Sequence, residues 1–186
     1  MVNPSRSNAW EDIDPASDHF AVLGLPRQYR VARDELEQRY LERAQAVHPD
    51  RFAHADMAVQ RAIMERSAAV NESYRVLRDP VRRAEYLVKL GGIDLDSSDP
   101  AHGAPAMGTD FLVDMIERRE TLEAARASGA SALASLCRRI EDEAEDVFER
   151  ALADIEAGRT RAAARLLVER RYLQRLLDEI EGATTR

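Results

Sequence analysis

The amino-acid sequence predicts an all-α protein, with an N-terminal helical domain and a C-terminal three-helix bundle. Glycine and proline, which interrupt helices, number only 8 and 7 among 186 residues, and aromatic residues make up 5%. Charged residues reach 33% and apolar residues 45%, and the composition favours helices built from alanine, leucine, glutamate and arginine. This composition excludes collagen-like, low-complexity and sheet-rich folds, and no segment has the pattern of a strand.

One internal segment differs in composition from the rest of the chain. Residues 91–109 hold four of the eight glycines and two of the seven prolines, together with serine and aspartate, which favour turns. We therefore expect a linker there, between one domain at residues 18–90 and another at residues 110–186. Residues 1–17 are polar and acidic, and we expect them to be disordered.

The first domain contains four predicted helices, of which the first three precede residue 78. A short helix over residues 18–23 is closed by Gly24 and Pro26. The second helix covers residues 32–47 and the third covers residues 56–77, and each carries apolar residues about one turn apart on one face. The residues expected to face inward are Leu36, Tyr40, Ala44, Val47, Val59, Ile63, Val70, Tyr74 and Leu77.

The two long helices are predicted to form an antiparallel hairpin. A short polar connection around residues 48–52 separates them, and short connections place neighbouring helices antiparallel. The fourth helix begins with Asp79 as N-cap and Pro80 at its first position, because these residue types favour a helix start.

Three more helices follow the linker. Thr109, Ser131 and Thr160 are each expected to cap one of them, and the helices run to about residues 126, 157 and 181. Gly129 and Gly158 end the first two, and the short connections predict an antiparallel bundle. The inward-facing residues of the second and third of these helices are Leu133, Leu136, Ile140, Val147, Ile155, Leu166, Leu173, Leu177 and Ile180.

Charge and cysteine content exclude several classes of partner. There are 27 lysines and arginines against 34 aspartates and glutamates, so we expect no nucleic-acid partner. No apolar run approaches the roughly 20 residues that cross a bilayer, and residues 1–17 lack the apolar stretch of a secretory signal. Cys137 is the only cysteine, which excludes an intrachain disulfide. We expect a cytoplasmic protein that contacts no membrane, with Cys137 as a small core residue.

The connection between the two long helices carries the most informative motif, His48-Pro49-Asp50. Pro49 has no amide hydrogen and a fixed φ, so it ends the second helix and restricts the shape of the loop. The flanking imidazole and carboxylate then face outward, where they can donate to and accept from a partner. A polar turn without a function is the alternative interpretation of these three residues.

The wider pattern resembles the J-domain over residues 18–90, and nearly the whole chain beyond residue 17 resembles the HscB family of J-type co-chaperones of iron–sulfur cluster assembly. The resemblance includes the C-terminal bundle, which is similar to the scaffold-binding domain of that family. The segments that carry it are LGLP at residues 23–26, HPDRF at 48–52, AAVNESYRVLRDPVRRAEYL at 68–87 and GIDL at 92–95.

The resemblance implies two partners and no cofactor. The J-domain would bind a DnaK/HscA-type chaperone and stimulate its ATP hydrolysis through His48, Pro49 and Asp50. The C-terminal domain would bind an IscU-type iron–sulfur scaffold protein and deliver it to that chaperone. The chain itself would not be an enzyme, and it has no glycine-rich phosphate loop.

Arginines near the loop are candidate chaperone contacts. The second helix lies on the docking face of J-domains, and Arg39 and Arg43 lie one turn apart on it, with Arg51 just beyond the loop. These three can form a cationic patch for an acidic chaperone surface. Alternatively, together with Glu35 and Glu42, they form a solvated mixed-charge face. The family usually has lysine where this chain has Arg51.

The first C-terminal helix has more apolar residues than one face can bury. Phe111, Met115 and Leu122 form one stripe, whereas Leu112 and Ile116 lie off it, which favours an exposed binding patch. Packing against the J-domain or the linker is the alternative. The positions that match the scaffold-binding residues of the family are Leu112, Ile116, Glu117, Glu120 and Tyr172, and a further acidic position of the family is Ala124 here.

Two rival functions remain at this point. His48, Asp50, His54 and Asp56 resemble a set of metal ligands, so a metal-dependent hydrolase is the rival from the enzyme class. Pro49 directs its neighbours outward, and no further ligands converge there, so we expect no metal. The second rival is a J-domain protein that serves a different client, with the bundle as a dimerisation module.

Overall fold

The structure is a computed structural model that describes residues 10–184. The chain divides into two units, the first ending at Leu87 and the second beginning at Val88. The described residues contain seven α-helices and no strand, which confirms the predicted all-α class. The four helices that begin before residue 88 are α1 (His19–Leu23), α2 (Arg33–Ala46), α3 (Met57–Arg78) and α4 (Pro80–Leu90), and the other three are α5 (Thr109–Ser128), α6 (Ala130–Glu156) and α7 (Thr160–Thr184).

The core of the first unit lies where α1 and α2 pack against α3. Apolar side chains from all three helices are buried together there, as the helical spacing predicts. Tyr40 and Tyr74 lie at the edge of this core and stack with ring centroids 4.1 Å apart, and the Tyr40 hydroxyl lies 3.1 Å from the Asn71 amide oxygen. The buried residues are Ile13, Phe20, Val22, Leu23, Leu25, Leu36, Val47, Val70 and Leu77.

Aspartates cap two helices of the first unit: Asp79 has its predicted capping role, and Asp18, predicted as the first residue of its helix, is the cap instead. The Asp18 carboxylate accepts from the amides of Phe20 and Ala21, at 2.9 and 3.1 Å, and caps α1. Asp79 likewise accepts from the amides of Val81 and Arg82, at 2.9 and 3.0 Å. Each carboxylate therefore satisfies amides that have no partner within the first turn of a helix.

Gly24 ends α1 in the left-handed region, with φ of 69°. A side chain there would be strained by this backbone conformation, and its Cβ would lie 3.0 Å from the Arg43 guanidinium. Glycine therefore allows α1 to turn sharply and the Arg43 side chain to lie across the turn.

The N-terminal segment differs from its prediction. Residues 1–9 of the segment expected to be disordered lie outside the described residues, but residues 10–17 are folded onto the first unit. Ile13 is only 1% exposed and belongs to the core. Its amide donates to the Trp10 carbonyl at 3.2 Å, and Asp14 accepts from the Ala16 amide and the Ser17 hydroxyl. One buried isoleucine and these turns order the segment, although its overall composition is polar.

The core of the second unit lies between α5, α6 and α7, which form the predicted three-helix bundle. The residues expected to face inward on α6 and α7 are buried or partly buried. Cys137 packs at the edge of this core, and burial, together with the neighbouring Glu141, raises the pKa of its thiol. The buried residues are Leu122, Ala125, Leu136, Ile140, Ala144, Val147, Leu173, Leu176, Leu177 and Ile180.

The predicted caps of the bundle helices are wrong. Gly108 caps α5, and Thr109 is already helical. Gly129 both ends α5, by donating its amide to the Ala125 carbonyl, and starts α6, by accepting from the Leu133 amide. With φ of 101° it turns the chain between two helices in a single residue. No separate position is left for a serine cap, so Ser131 lies inside α6.

At the start of α7 the cap position is shifted by one residue. The Ala163 amide donates to the Arg159 carbonyl at 3.0 Å, so Arg159 occupies the cap position. Thr160 is therefore the first residue of the helix rather than its cap.

The predicted linker is an ordered loop of the second unit. Ile93 and Leu95 are buried, and Lys89 pairs with Asp94 at 2.7 Å. Arg171 on α7 donates to the Leu95 carbonyl and to Asp96, at 3.3 and 2.8 Å. These apolar and ionic contacts fix the loop against α7, which its content of glycine and proline does not reveal.

The buried position of Ile13 predicts its effect on stability. Ile13→Ala removes a fully buried side chain and should lower the free energy of unfolding of the first unit by about 2–5 kcal/mol. Trp10 is the only tryptophan of the chain, so its fluorescence during urea unfolding reports this unit. Met57→Ala, at an exposed apolar residue, is the control and should change the free energy by less than about 0.5 kcal/mol. Equal effects of the two substitutions would contradict the burial of Ile13.

The Asp18 carboxylate predicts a dependence of stability on pH. Burial would raise its pKa, but hydrogen bonds from Arg27 and from the amides of Ala21 and Phe20 outweigh burial and hold the pKa below its ordinary value of 3.8. This contribution to stability is present above the ordinary pKa and is lost as the pH falls through the lower pKa of the folded state. Unfolding free energies of the wild type and Asp18→Asn should therefore differ at neutral pH and converge in acid. A difference independent of pH would exclude this linkage.

Candidate functional site

Pro49 and Asp50 of the loop motif lie in a short 3-10 turn over Pro49–Phe52, at the apex of the α2–α3 hairpin, and His48 caps this turn. Val47, the last residue before the motif, is fully buried and anchors the end of α2. Pro49 occupies the first position of the turn, where its missing amide hydrogen costs nothing. The His48 and Asp50 side chains are 57% and 91% exposed, so both face solvent, as predicted.

Hydrogen bonds within the loop fix its backbone. The Asp50 amide donates to His48 Nδ1 at 3.4 Å, and the Arg51 amide donates to the His48 carbonyl at 3.1 Å. Arg51 Nη1 donates back to the Gln45 carbonyl at 2.7 Å, near the last turn of α2. The apex therefore combines an ordered backbone with an exposed imidazole and an exposed carboxylate, which is an arrangement suited to docking against donors and acceptors of another protein.

The three candidate arginines have different surroundings. Arg39 is about half exposed and pairs with Glu42 at 3.5 Å, which is typical of a surface ion pair. Arg51 is exposed beside the apex. Arg43 is partly buried, with its guanidinium lying against Gly24. Arg39 and Arg51 are therefore more accessible to a partner than Arg43.

The residues of the possible metal site do not form a cluster. Within residues 10–184, no group of three or more His, Cys, Asp or Glu side chains is placed to hold one metal ion. Asp56 instead caps α3 by accepting from the Val59 amide at 2.8 Å. The capping bond explains the position of Asp56 without a metal.

One stripe of α5 is anchored to the bundle. Leu122 and Ala125 are buried, and Phe111 and Met115 are partly buried on the same face. Both terminal nitrogens of Arg118 donate to the carboxylate of Glu143 on α6, at 2.6 Å each. These hydrogen bonds raise the pKa of Arg118 above its ordinary value, against the opposing effect of burial. A two-point ion pair of this kind fixes the rotation of α5 about its own axis.

The opposite side of α5 exposes apolar side chains. Leu112, Val113 and Ile116 are 48%, 47% and 62% exposed, and we call these three residues the α5 patch. Ile116 precedes Arg118 by two residues, or about 200° of helical rotation, so anchoring Arg118 inward directs Ile116 outward. The exposed apolar surface expected from the sequence is therefore present.

Acidic residues border the α5 patch. Glu117 and Glu120 are exposed, and a shallow groove beside Ile116 is lined also by Arg119, Glu120, Glu123 and Glu179. The position that is acidic in the resembled family, Ala124, is exposed here without a charge.

Tyr172 on α7 lies at the N-terminal end of α5. Its ring contacts Phe111 edge to face, with centroids 5.3 Å apart, and the Arg175 guanidinium lies 5.5 Å from the Tyr172 ring centroid. Tyr172 is partly buried. It therefore supports the turn of α5 that carries Leu112, and part of its own surface stays accessible.

The predictions missed two features near these sites. The predicted scaffold-binding positions omit Val113, which completes the α5 patch, although the helical wheel places Val113 on the same side of α5 as Ile116. Trp10 contacts Phe52 at the apex, with ring centroids 6.0 Å apart. The spacing of Trp10 and Ile13, two large apolar residues in a polar stretch, was the only signal for that contact.

Within the described part of the chain, every helix is too short or too polar to span a bilayer.

Two family models match the chain, one for each unit. The DnaJ domain model matches residues 18–86, and the model described as the HSCB C-terminal oligomerisation domain matches residues 107–181. The co-chaperone protein HscB homolog of Aromatoleum aromaticum is 38% identical over 173 residues, covering 92% of this chain and 96% of that protein. The homolog from Azoarcus sp. is 36% identical over 176 residues, with the same coverage.

Solved structures share the fold. The chaperone HscB from Vibrio cholerae is 26% identical, with a TM-score of 0.73 over 91% of this chain and 98% of that one. Human co-chaperone protein HscB has a TM-score of 0.77 over 99% of this chain and 94% of that one, and at 23% identity it supports the fold alone.

Proposed function

The chain belongs to the HscB family of co-chaperones, and from this premise we propose that it brings an IscU-type iron–sulfur scaffold protein to a DnaK/HscA-type chaperone. The first unit binds the chaperone and stimulates its ATPase, and the C-terminal bundle binds the scaffold. The chain acts as an activator in the cytoplasm, without a cofactor and without catalysis of its own. The observation that carries the proposal is the exposed Asp50 carboxylate on an ordered turn, within a domain that the DnaJ model matches.

The chaperone-binding role rests on what the apex can present. The Asp50 carboxylate can accept from an arginine or from backbone amides of the chaperone, and the His48 imidazole can donate or accept beside it. Because the backbone is already fixed by Pro49 and by the bond from Arg51 to the Gln45 carbonyl, little conformational entropy is lost on docking. Arg39 and Arg51, with Arg43 behind them, favour an acidic chaperone surface.

The scaffold-binding role rests on the α5 patch and its surroundings. Exposed apolar side chains at the centre, with Glu117 and Glu120 at the rim, form the usual anatomy of a protein interface. A partner with a complementary apolar surface and cationic rim fits this arrangement. Tyr172 adds an aromatic ring at the edge, where one side is apolar and the other is in contact with water.

Because one chain carries both binding sites, each contact can be weak and the scaffold can still be delivered to the chaperone. When the bundle holds the scaffold and the apex engages the chaperone, the scaffold is confined near the chaperone at a high effective concentration. The same arrangement works for any client that binds the bundle. The identity of the client is therefore tested separately from the function of the apex.

The first prediction from this proposal concerns the apex. Asp50→Ala removes the exposed carboxylate and should abolish stimulated ATP turnover by the chaperone, while scaffold binding is retained. Steady-state ATPase rates with and without the scaffold, together with calorimetric scaffold affinity, measure the two effects. Asp34→Ala, at an exposed carboxylate of α2, is the matched control and should stimulate like the wild type. Full stimulation by Asp50→Ala would refute the assignment of the apex.

The second prediction concerns the α5 patch. The double substitution Leu112→Ala and Ile116→Ala truncates two exposed side chains, so the circular dichroism spectrum should not change. Scaffold affinity should fall about tenfold or more, because apolar residues at the centre of an interface typically carry much of its energy. Chaperone stimulation in the absence of scaffold should match the wild type.

The control for this prediction uses exposed apolar residues outside the bundle. Met57→Ala with Met64→Ala truncates two exposed methionines of α3 and should leave scaffold affinity unchanged. Unaltered affinity of the Leu112 and Ile116 variant in calorimetry would exclude the α5 patch as the scaffold site. If the wild type itself fails to bind the scaffold, the bundle serves a different client.

A further inference from the structure

Trp10 belongs to a segment that lies ahead of the J-domain match, which begins at residue 18. The segment nevertheless reaches the functional apex, because the Trp10 ring meets Phe52 edge to face with centroids 6.0 Å apart. Phe52 is the last residue of the 3-10 turn that contains Asp50. The segment therefore contacts the turn two residues beyond the exposed carboxylate.

Arg66 of α3 holds Trp10 in place. Its Nε donates to the Trp10 carbonyl at 3.1 Å, and its guanidinium lies 5.0 Å from the centroid of the Trp10 ring. Nη1 of the same side chain donates to the Ala62 carbonyl at 3.1 Å, within α3. One arginine thus fixes the backbone and the ring of Trp10 to α3, by a hydrogen bond and a cation–π contact.

Ile13 anchors the other end of the segment. It is buried in the core of the first unit, and its amide closes a turn onto the Trp10 carbonyl. Trp10 is therefore fixed from both directions, by Ile13 along the chain and by Arg66 across it. Because the Trp10 ring is itself fixed, its contact with Phe52 can limit the movement of the Phe52 side chain.

The turn has different restraints at its two ends. Toward α2, the buried Val47 and the bond from Arg51 to the Gln45 carbonyl fix it. Toward α3, Ala53 and His54 are exposed, and hydrogen bonds restrain the backbone: the Ala55 amide donates to the Phe52 carbonyl at 3.0 Å, and Gln60 Nε2 donates to the Ala53 and Ala55 carbonyls at 3.2 and 2.9 Å. The contact of Phe52 with Trp10 supplies the aromatic restraint at this end, and edge-to-face pairs favour one relative orientation.

We propose that Trp10 is a positioning residue for chaperone docking: it holds Phe52, and through Phe52 it keeps the Asp50-bearing turn in the conformation that the chaperone binds. This inference rests on the proposed stimulation of the chaperone by the apex. Its effect is preorganisation, so Trp10 lowers the concentration needed for docking and adds no contact to the chaperone itself.

Trp10→Ala in the full-length chain tests the proposal. The concentration for half-maximal ATPase stimulation should rise about 3- to 10-fold, the range expected for loss of an aromatic pair. The maximal stimulated rate should change much less, because the docking groups are intact. Trp10→Phe, which keeps a ring against Phe52 and Arg66, should restore most of the wild-type behaviour. Scaffold affinity should be the same in all three proteins.

Several outcomes would overturn the inference. An unchanged half-maximal concentration for Trp10→Ala would do so, as would equal defects in the alanine and phenylalanine variants. A fall confined to the maximal rate would also contradict a preorganising role. If the wild-type protein gives no stimulation at all, the proposed function fails instead, and the contact is then tested by spectroscopy alone.

The spectroscopic test uses the single tryptophan of the chain. In protein labelled with fluorotryptophan, Phe52→Leu should shift the ¹⁹F resonance of Trp10, because the neighbouring ring is lost. Met57→Leu, at an exposed residue just beyond the apex, is the control and should leave the resonance in place. An unshifted resonance in Phe52→Leu would show that Trp10 does not restrain the turn.

Discussion

Because Pro49 has no amide hydrogen and a fixed φ, α2 cannot continue through the apex, and the chain enters a 3-10 turn before α3 begins. Val47 occupies the buried position at the end of α2. The side chains on either side of the proline are therefore left outside the core. His48 and Asp50 are exposed for this reason. The same constraint keeps the hairpin tight, so that α2 and α3 bury their apolar stripes against each other and carry the apex on a stable support.

In the bundle, an ion pair rather than a proline determines which side chains are exposed. The two hydrogen bonds from Arg118 to Glu143 set the rotation of α5, and the buried Leu122 continues the anchored stripe. Apolar side chains on the opposite side of the helix are then left in solvent, although burying them would be favourable. Local restraints therefore hold the groups of both candidate sites in an exposed position: the proline and the hydrogen bonds of the turn do so at the apex, and the Arg118–Glu143 pair does so in the bundle.

The sequence predicts the repetitive parts of the structure well, because helix periodicity and short connections are local properties. The seven helices, the hairpin, the exposed apex and the exposed side of α5 could all be predicted from such patterns. The predictions for Ser131 and residues 10–17 were wrong for specific reasons. Gly129 combines the end of one helix with the start of the next, and burial of the single residue Ile13 orders a polar segment. The partial burial of Arg43 against Gly24 depends on a contact between distant residues, which periodicity does not report.

Gly129 is both the last cap of α5 and the first cap of α6, so no flexible connecting residues lie between the two helices. Each residue of an α-helix turns the chain by about 100°. An insertion or deletion of one residue within α5, between Arg118 and Gly129, would rotate Arg118 by about 100° relative to the junction, so that either the Arg118 pair breaks or the apolar residues turn toward the bundle. The length of this stretch is therefore restricted by the structure more tightly than the identity of most surface side chains.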